Sequence, residues 1–420
     1  MFSVAISTLI PLSYSPQLSP HLEAAVEAVK WGLQFYITPT DLGYGIPSHN
    51  EKAWGFGQYY YSNGTGCPGG GTWVDEYTLI GGHDAGQYGL VALQAYEVTK
   101  DPFFLEYFER AFFPHYKHVQ APNPSWGIQE YVQVDGWNCS LKGYFIEQAS
   151  YKPGLDGTYG TEDDEVTLTP EWTSAEHGNP IAFALMKYYN LTGDEEALRL
   201  VEEYANWVIG QIYDEGTDFL GAVGAIPAEA LANTSPRMFE TAESAWFLVE
   251  LYELTGNKRY LEAAERIGHF MLETQWREDW NRIRIALPPP QDKRIVGGLP
   301  YLWHNTLNST ITNSTLTTYA GFVLMAWTHL YKETGNTAYL YGVNGSSSDV
   351  KGGALAYADW LLSMQVTPED YEWGDHEYSD DPHAVGGFYT GFIVIDPWLP
   401  YRNRLDVFQP VWSAAYSIPG

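Results

Sequence analysis

Basic charge is scarce in this sequence. Lys and Arg number 22 against 52 Asp and Glu, which leaves a formal net charge of −30. Nucleic acids and anionic membrane surfaces are gripped by clustered Lys and Arg, so neither is expected as a partner. Cysteine is scarcer still: Cys67 and Cys139 alone, in no CxxC or Cys/His zinc spacing. In an oxidising compartment that pair leaves room for one disulfide. No run reaches about 18 uninterrupted apolar residues, so no transmembrane helix is expected. Walker loop, GxSxG and zinc motifs are all missing, and the chemistry is expected to need no cofactor. Charged residues make up only 18% of the chain, and most are carboxylates. Such a surface suits an acidic medium, where Asp and Glu lose charge near their pKa values.

What is present is apolar and aromatic. Hydrophobic residues reach 45%, with 32 Tyr and 16 Trp. A large core can be buried, which excludes disorder. Seven Asn-x-Ser/Thr sequons, Asn138, Asn190 and Asn344 among them, point to export. The stretch Met1 to Leu12 is apolar without a basic start, so residues 1–18 read as an export or extension segment of one 1–420 domain.

Four segments end alike: Tyr96-Glu-Val-Thr-Lys-Asp101, Tyr189-Asn-Leu-Thr-Gly-Asp194, Tyr252-Glu-Leu-Thr-Gly-Asn257 and Tyr331-Lys-Glu-Thr-Gly-Asn336. Each closes an apolar run of helical length, beginning near Asp84, Glu176, Glu240 and Thr317. Gly stops a helix and the following Asp or Asn caps the next. An amphipathic segment comes after each stop. In Arg259 to Glu273, Tyr260, Ala264, Ile267 and Met271 form one stripe. Phe103 to Lys117, Glu195 to Ile212 and Ala354 to Met364 take the same outer role. His21 to Phe35 adds a helix before them and Leu405 to Ser417 one after. The unit is an apolar inner helix, a tight turn and an outer helix, repeated in about five to six hairpins. The expected fold is all-α, an (α/α)6 toroid with long irregular loops at one mouth: Leu42 to Tyr77, Asn123 to Thr173, Asp214 to Phe239, Trp276 to Thr315 and Gln365 to Phe388. An open solenoid of hairpins is the alternative.

Polar residues gather where the inner helices start. Gly81-Gly82-His83-Asp84-Ala85-Gly86-Gln87-Tyr88 resembles the Gly-Gly-x-x-Asp-Ala-Gly-Asp segment of family-nine glycoside hydrolases, cellulases on an (α/α)6 barrel. The resemblance implies that Asp84 handles the attacking water. It departs at Gln87, where the family has a second Asp, and in a spacer one residue short. Glu171-Trp172-Thr173-Ser174-Ala175-Glu176-His177-Gly178-Asn179 resembles the Thr-Glu-His-Asn stretch of six-hairpin glycosidase-like proteins. A carboxylate, an imidazole and an amide together are costly to bury without a task. Glu240 and Glu243 lie three apart in Phe239-Glu240-Thr241-Ala242-Glu243-Ser244-Ala245-Trp246, and the apolar surroundings of Glu243 would raise its pKa, as a general acid needs. Helix capping is the bland alternative for each set.

Asp84, Glu176, Glu243 and His177 are therefore the catalytic candidates. His83, Tyr88, Trp126, Trp172, Asn179, Glu240, Trp246, Trp303, His304, Tyr319, Asp381, His383 and Tyr389 are candidates for binding, because sugar rings stack on aromatic faces and bond to polar groups. Asp156, Glu162, Asp163 and Asp164 sit in a Gly-containing loop with five carboxylates in ten residues, suited to a structural Ca²⁺. The loop resembles Asp-Gly-x-x-Gly-Thr-x-Asp-Asp loops of secreted proteins. The expected function is hydrolysis of glycosidic bonds in a carbohydrate polymer or oligosaccharide by a carboxylate pair, outside the cell. A polysaccharide lyase or uronic-acid epimerase on the same fold, and a non-catalytic carbohydrate-binding protein, are the alternatives.

Overall fold

The computed structural model describes residues 19–39, 41–48, 51–58, 77–80, 82–134, 137–152, 155, 165–169, 174–214, 224–226, 237–276, 296–300, 303–304, 310–311, 314–316, 319–365, 391–394 and 403–406. Helix α1 spans Pro20–Leu33. Helix α2 (His83–Thr99) is followed by an outer segment made of α3 (Pro102–Tyr107), a π-helical turn (Phe108–Phe112) and α4 (Phe113–Val119). The next two hairpins are α5 (Ala175–Thr192) with α6 (Glu195–Gln211), and α7 (Met238–Thr255) with α8 (Lys258–Thr274). Helix α9 (Ala320–Thr334) is followed by the short α10 (Ala338–Tyr341) and by α11 (Gly353–Ser363). Helices α2, α5, α7 and α9 pack side by side in chain order, and each packs against its own outer partner. This is the expected α/α toroid architecture, with four hairpins and α1 among the described residues.

Burial explains the split between inner and outer helices. From Glu240 to Ala245 every residue of α7 is buried, so its apolar faces need neighbours on all sides. In α8 the stripe Tyr260, Ala264, Ile267 and Met271 is buried and the opposite face is wet. Large rings fill the space between layers: Phe104, Phe108, Phe112 and Tyr116 are fully buried on the first outer segment.

The repeated stop motif gives every residue a task. The Thr hydroxyl donates to the carbonyl four residues back, as Thr99 to Ala95, Thr192 to Tyr188, Thr255 to Leu251 and Thr334 to Leu330. The same oxygen accepts from the N–H two residues on. Gly193, Gly256 and Gly335 take φ of 74°, 70° and 68°, and Lys100 takes 57° in the remaining copy. Asp101, Asp194, Asn257 and Asn336 then cap the outer helices with their side-chain oxygens.

The connections at the other end depart from expectation. Among their described residues, several carry short paired strands. Strands β1 (Tyr36–Thr38), β2 (Ile46–Pro47), β3 (Gly55–Gln58) and β4 (Tyr77–Ile80) precede α2. β5 (Tyr131–Val134) and β6 (Trp137–Ser140) form a hairpin, and β7 (Gln148–Lys152) and β8 (Glu165–Thr169) follow. One six-stranded sheet runs in the order β2-β1-β3-β4-β7-β8. Strands β9 (Trp303–His304) and β10 (Thr310–Ile311) pair, as do β11 (Ser314–Leu316), β12 (Gly391–Val394) and β13 (Asn403–Asp406). Residues 405–406 are therefore strand rather than the start of a last helix, and 407–417 lie outside the described residues. These strands are two to five residues long and pair across long separations, too short to display a period of their own.

Candidate active site

Strands β4 and β7 build the first part of the site. Ile80 pairs with Gln148, so the residues just beyond, Gly82 and Glu147, meet at the start of α2. The Gly82 N–H donates to the Glu147 carbonyl at 3.3 Å. The His83 N–H donates to Glu147 Oε2 at 2.8 Å. Gly82 offers no side-chain cap for α2, and Glu147 supplies one from another segment. A Cβ on residue 82 would lie 1.9 Å from Glu147 Oε2 and 2.7 Å from the His177 carbonyl. Gly86 lets α2 meet α5, since a Cβ there would lie 2.5 Å from the Ile181 nitrogen.

The first turns of α2, α5 and α7 then converge. On α2, His83 Nδ1 is 3.1 Å from Asp84 Oδ1, and His83 Nε2 is 2.9 Å from Gln87 Nε2. On α5, Ser174 is the N-cap: its Oγ accepts from the Glu176 N–H at 3.2 Å and donates to Glu240 Oε1 at 3.3 Å. On α7, Glu240 Oε1 lies 2.9 Å from Arg237, whose other terminal nitrogen is 4.0 Å from Glu176. Asn179 Nδ2 donates to Glu243 at 3.0 Å, and Tyr204 holds the amide oxygen at 3.1 Å. Five carboxyl groups thus meet at one mouth: Asp84 and Glu176 partly exposed at 36% and 23%, with Glu147, Glu240 and Glu243 buried behind them.

The buried three hold their protons far more tightly than ordinary carboxylic acids. Burial raises Glu147 most, with Asp84 and Glu176 adding repulsion against the pull of the His83 and Gly82 N–H groups. Burial also raises Glu240, with Glu176 adding repulsion and Arg237 opposing both. Glu243 is raised by burial against its Asn179 bond. Tyr88, next along α2, is raised by burial and by Asp84.

The cluster brings together Asp84, Glu176, His177, His83, Tyr88, Asn179, Glu240 and Glu243. Trp246 sits one turn further into the ring, packed between Phe183 and Phe322, its indole N–H on Glu250. Tyr319 is fully buried with its hydroxyl on the Leu299 carbonyl. Trp126 is elsewhere, stacked on His118 of α4 at 4.4 Å. Trp303 and His304 form β9 by backbone. Trp172, Asp381, His383, Tyr389 and the acidic loop residues Asp156, Glu162, Asp163 and Asp164 lie outside the described residues. So does Cys67, and no disulfide occurs among the described residues; Cys139 is half-buried on β6 beside α6. Among the described residues no group of three His, Cys, Asp or Glu is arranged to hold a metal. No described helix is long and apolar enough to cross a membrane.

Glu147 and Arg237 went unrecognised in the sequence. Glu147 had a signal: a lone carboxylate after Tyr144, Phe145 and Ile146, all buried, is expensive unless it is bonded. Arg237 had none, since a single Arg before a helix is ordinary.

Inner helices packed against outer ones, with acids collected where the inner set begins, define an α/α toroid with an acidic mouth. Among solved structures the chain is similar to a sugar epimerase from a ruminal bacterium (TM-score 0.50, 10% identity, 83% of this chain and 72% of that one). It is also similar to the α-1,6-mannanase GH76A of Salegentibacter sp. HEL1_6 (0.48, 13%, 81% and 70%) and to cellobiose 2-epimerase from Bacillus thermoamylovorans B4167 (0.48, 13%, 86% and 77%). The likeness to the ruminal epimerase is one of fold. No curated protein sequence matches. The family model described as "Beta-L-arabinofuranosidase, GH127 catalytic domain" matches residues 71–341, well over half of the chain. The chain belongs to that family and is a glycoside hydrolase.

Proposed function

We propose that this mouth cleaves a terminal L-arabinofuranose from an oligosaccharide or polymer, with Asp84 activating water and Glu176 protonating the leaving oxygen. The arabinofuranose is carried over from the name of the matched family. The observation that carries the mechanism is the pair of partly exposed carboxyls on neighbouring inner helices, backed by three buried acids. Glycoside hydrolysis needs two such groups about 5 to 9.5 Å apart, one to take a proton and one to give it. Arg237 lies between Glu240 and Glu176, 2.9 Å from the first and 4.0 Å from the second, and links the buried acid to the exposed one. Glu243, the other acid offered by the sequence, is tied to Asn179 and supports the site from inside. His83, His177 and Tyr88 rim the mouth as sugar contacts, and Trp246 and Phe183 provide an apolar floor deeper in the ring. Export, a Cys67–Cys139 disulfide and Ca²⁺ in the Asp156 to Asp164 loop complete the proposal, supported by the sequons and the acidic loop.

The two imidazoles at the mouth are what a lyase or epimerase would use, and one assay separates the readings. Incubation with p-nitrophenyl β-L-arabinofuranoside and with arabinose-containing oligosaccharides should release free arabinose. Asp84→Asn should lower kcat on the order of 10³-fold with binding retained. Glu176→Gln should lose activity on natural glycosides and keep it on the p-nitrophenyl substrate, whose leaving group needs no proton. Unsaturated products from uronic-acid polymers without arabinose release would overturn the hydrolase site.

A further inference from the structure

The comparisons do not show the family-nine segment, and Gln87 has a physical role of its own in this site. His83 lies between Asp84 and Gln87, with one ring nitrogen on each, at 3.1 Å and 2.9 Å. The Gln87 atom in that contact is Nε2, which can only donate. His83 Nε2 must then accept, which puts the ring proton on Nδ1, where it donates to Asp84 Oδ1. From this geometry we propose that Gln87 and Glu147 are positioning residues for Asp84. Gln87 fixes the His83 tautomer, Glu147 pins the His83 backbone, and together they leave Asp84 Oδ2 as the oxygen offered to water. The inference rests on Asp84 being the base.

Each link has independent support. Helix α2 begins on a Gly without a side-chain cap, so the Glu147 bond to the His83 N–H orders that first turn. The Gly82 position is spatially closed by Glu147 Oε2, so residue 82 and Glu147 fit only as a pair. His83 sits one turn before Gln87, where residues four apart on a helix meet. An Asp at position 87 would accept rather than donate. It would take a proton from Nε2 and leave the ring free to charge or to turn from Asp84. The other titratable groups gathered there are Glu147, Glu176 from α5 and Tyr88.

Nitrogen-15 spectra of histidine-labelled protein read the tautomer directly, whether or not the substrate assignment holds. His83, identified by its loss in His83→Phe, should carry its proton on Nδ1 at pH 7. Gln87→Met removes the donor at similar length and should erase that preference. It should lower kcat on the order of 100-fold with KM held within about twofold, the mark of misplacement rather than lost binding. Gln87→Glu should keep His83 doubly protonated to higher pH and shift one limb of the pH–rate profile upward. Circular dichroism and melting temperature of both variants should match the parent. A wild-type ring protonated on Nε2, or a Gln87→Met variant with unchanged kcat and pH profile, would overturn the proposal. An Nδ1–H ring in a protein that releases no arabinose would leave the tautomer assignment standing and sink only the arabinofuranose reading.

Discussion

Where the inner helices stop, the four described hairpins turn on nearly the same few residues; where they start, the described contacts differ from one helix to the next. At the stop end Thr, Gly and Asp or Asn satisfy each other within six residues, and the hydrogen bonds repeat four times over. At the start end the partners come from far away: Glu147 caps a helix that begins 64 residues earlier, and Ser174 bonds Glu240 across 66. The stop end is local and serves the fold. The start end is non-local, carries buried acids and serves chemistry. Buried ionisable groups cost stability, so the comparison implies that substitutions at the start end act strongly and couple to pH. Those at the stop end should be small and independent.

The sharpest test of the start end is Gly82→Ala. The added Cβ would meet Glu147 Oε2 at 1.9 Å and the His177 carbonyl at 2.7 Å. The second contact is backbone and cannot swing away. A cost of about 3 kcal/mol is expected, at the upper end for overpacking, together with loss of turnover as Asp84 moves. Chemical denaturation and arabinose release check both. A Gly82→Ala protein of parental stability and activity would mean that the two segments are not held together as described.

The pH dependence of stability tests the same end with smaller steps. Glu147, Glu240 and Glu243 are raised above an ordinary value of 4.5 by burial. A carboxyl raised in the folded state contributes stability that is fully present below the unfolded value and is lost as pH rises through the folded one. Each group therefore weakens the fold by up to about 1.4 kcal/mol per pH unit on the way up. His115, buried against the Tyr36 hydroxyl at 2.6 Å, is lowered by burial to about 3, with His118 adding to the shift. Its sign is opposite: its contribution is present above its ordinary 6.5 and is lost as pH falls. Three carboxyls outweigh one imidazole, so the melting temperature should climb from pH 8 to about pH 5 and decline again below about pH 4. Glu243→Gln should flatten the climb. A flat profile in the parent would contradict the protonated acids.

What could be read from sequence divides along the same line. The inner and outer helices were visible because 3.6-residue periodicity and stop residues are local properties, and the expected starts near Asp84, Glu176 and Glu240 fall within two residues of the observed ones. Four of the five carboxylates, Asp84, Glu176, Glu240 and Glu243, were legible because they stand at the starts of apolar helices. The six-stranded sheet was not, since its strands alternate too briefly to display a period and pair with distant partners. Glu147 was lost with it, because its place beside Asp84 is set by the β4–β7 register and not by any neighbour in the chain.

The smallest expected effect belongs to the stop end, where one copy breaks its own rule. Lys100 occupies the left-handed position that Gly fills in the other three, at φ 57°. A side chain there costs roughly 1–2 kcal/mol of backbone strain. Gly removes the strain and gives back part of the gain, because it loses more freedom on folding. Lys100 also sets its ammonium over the Tyr96 ring at 5.6 Å, an exposed contact of about 0.5 kcal/mol that Gly would forfeit. The balance leaves Lys100→Gly stabilising by roughly 0.5 kcal/mol. The reciprocal change is cleaner. Gly256 has φ 70°, and a Cβ placed there would meet no atom within 4 Å, so Gly256→Lys tests backbone strain without a clash. It should destabilise by about 1 kcal/mol, and the two changes, made in separate hairpins, should add. Loss of stability in Lys100→Gly would show that the Tyr96 contact, rather than the turn, decides that position. A departure from additivity would show that the stop turns are coupled through the ring and are not the independent, local devices that their repeated hydrogen bonds describe.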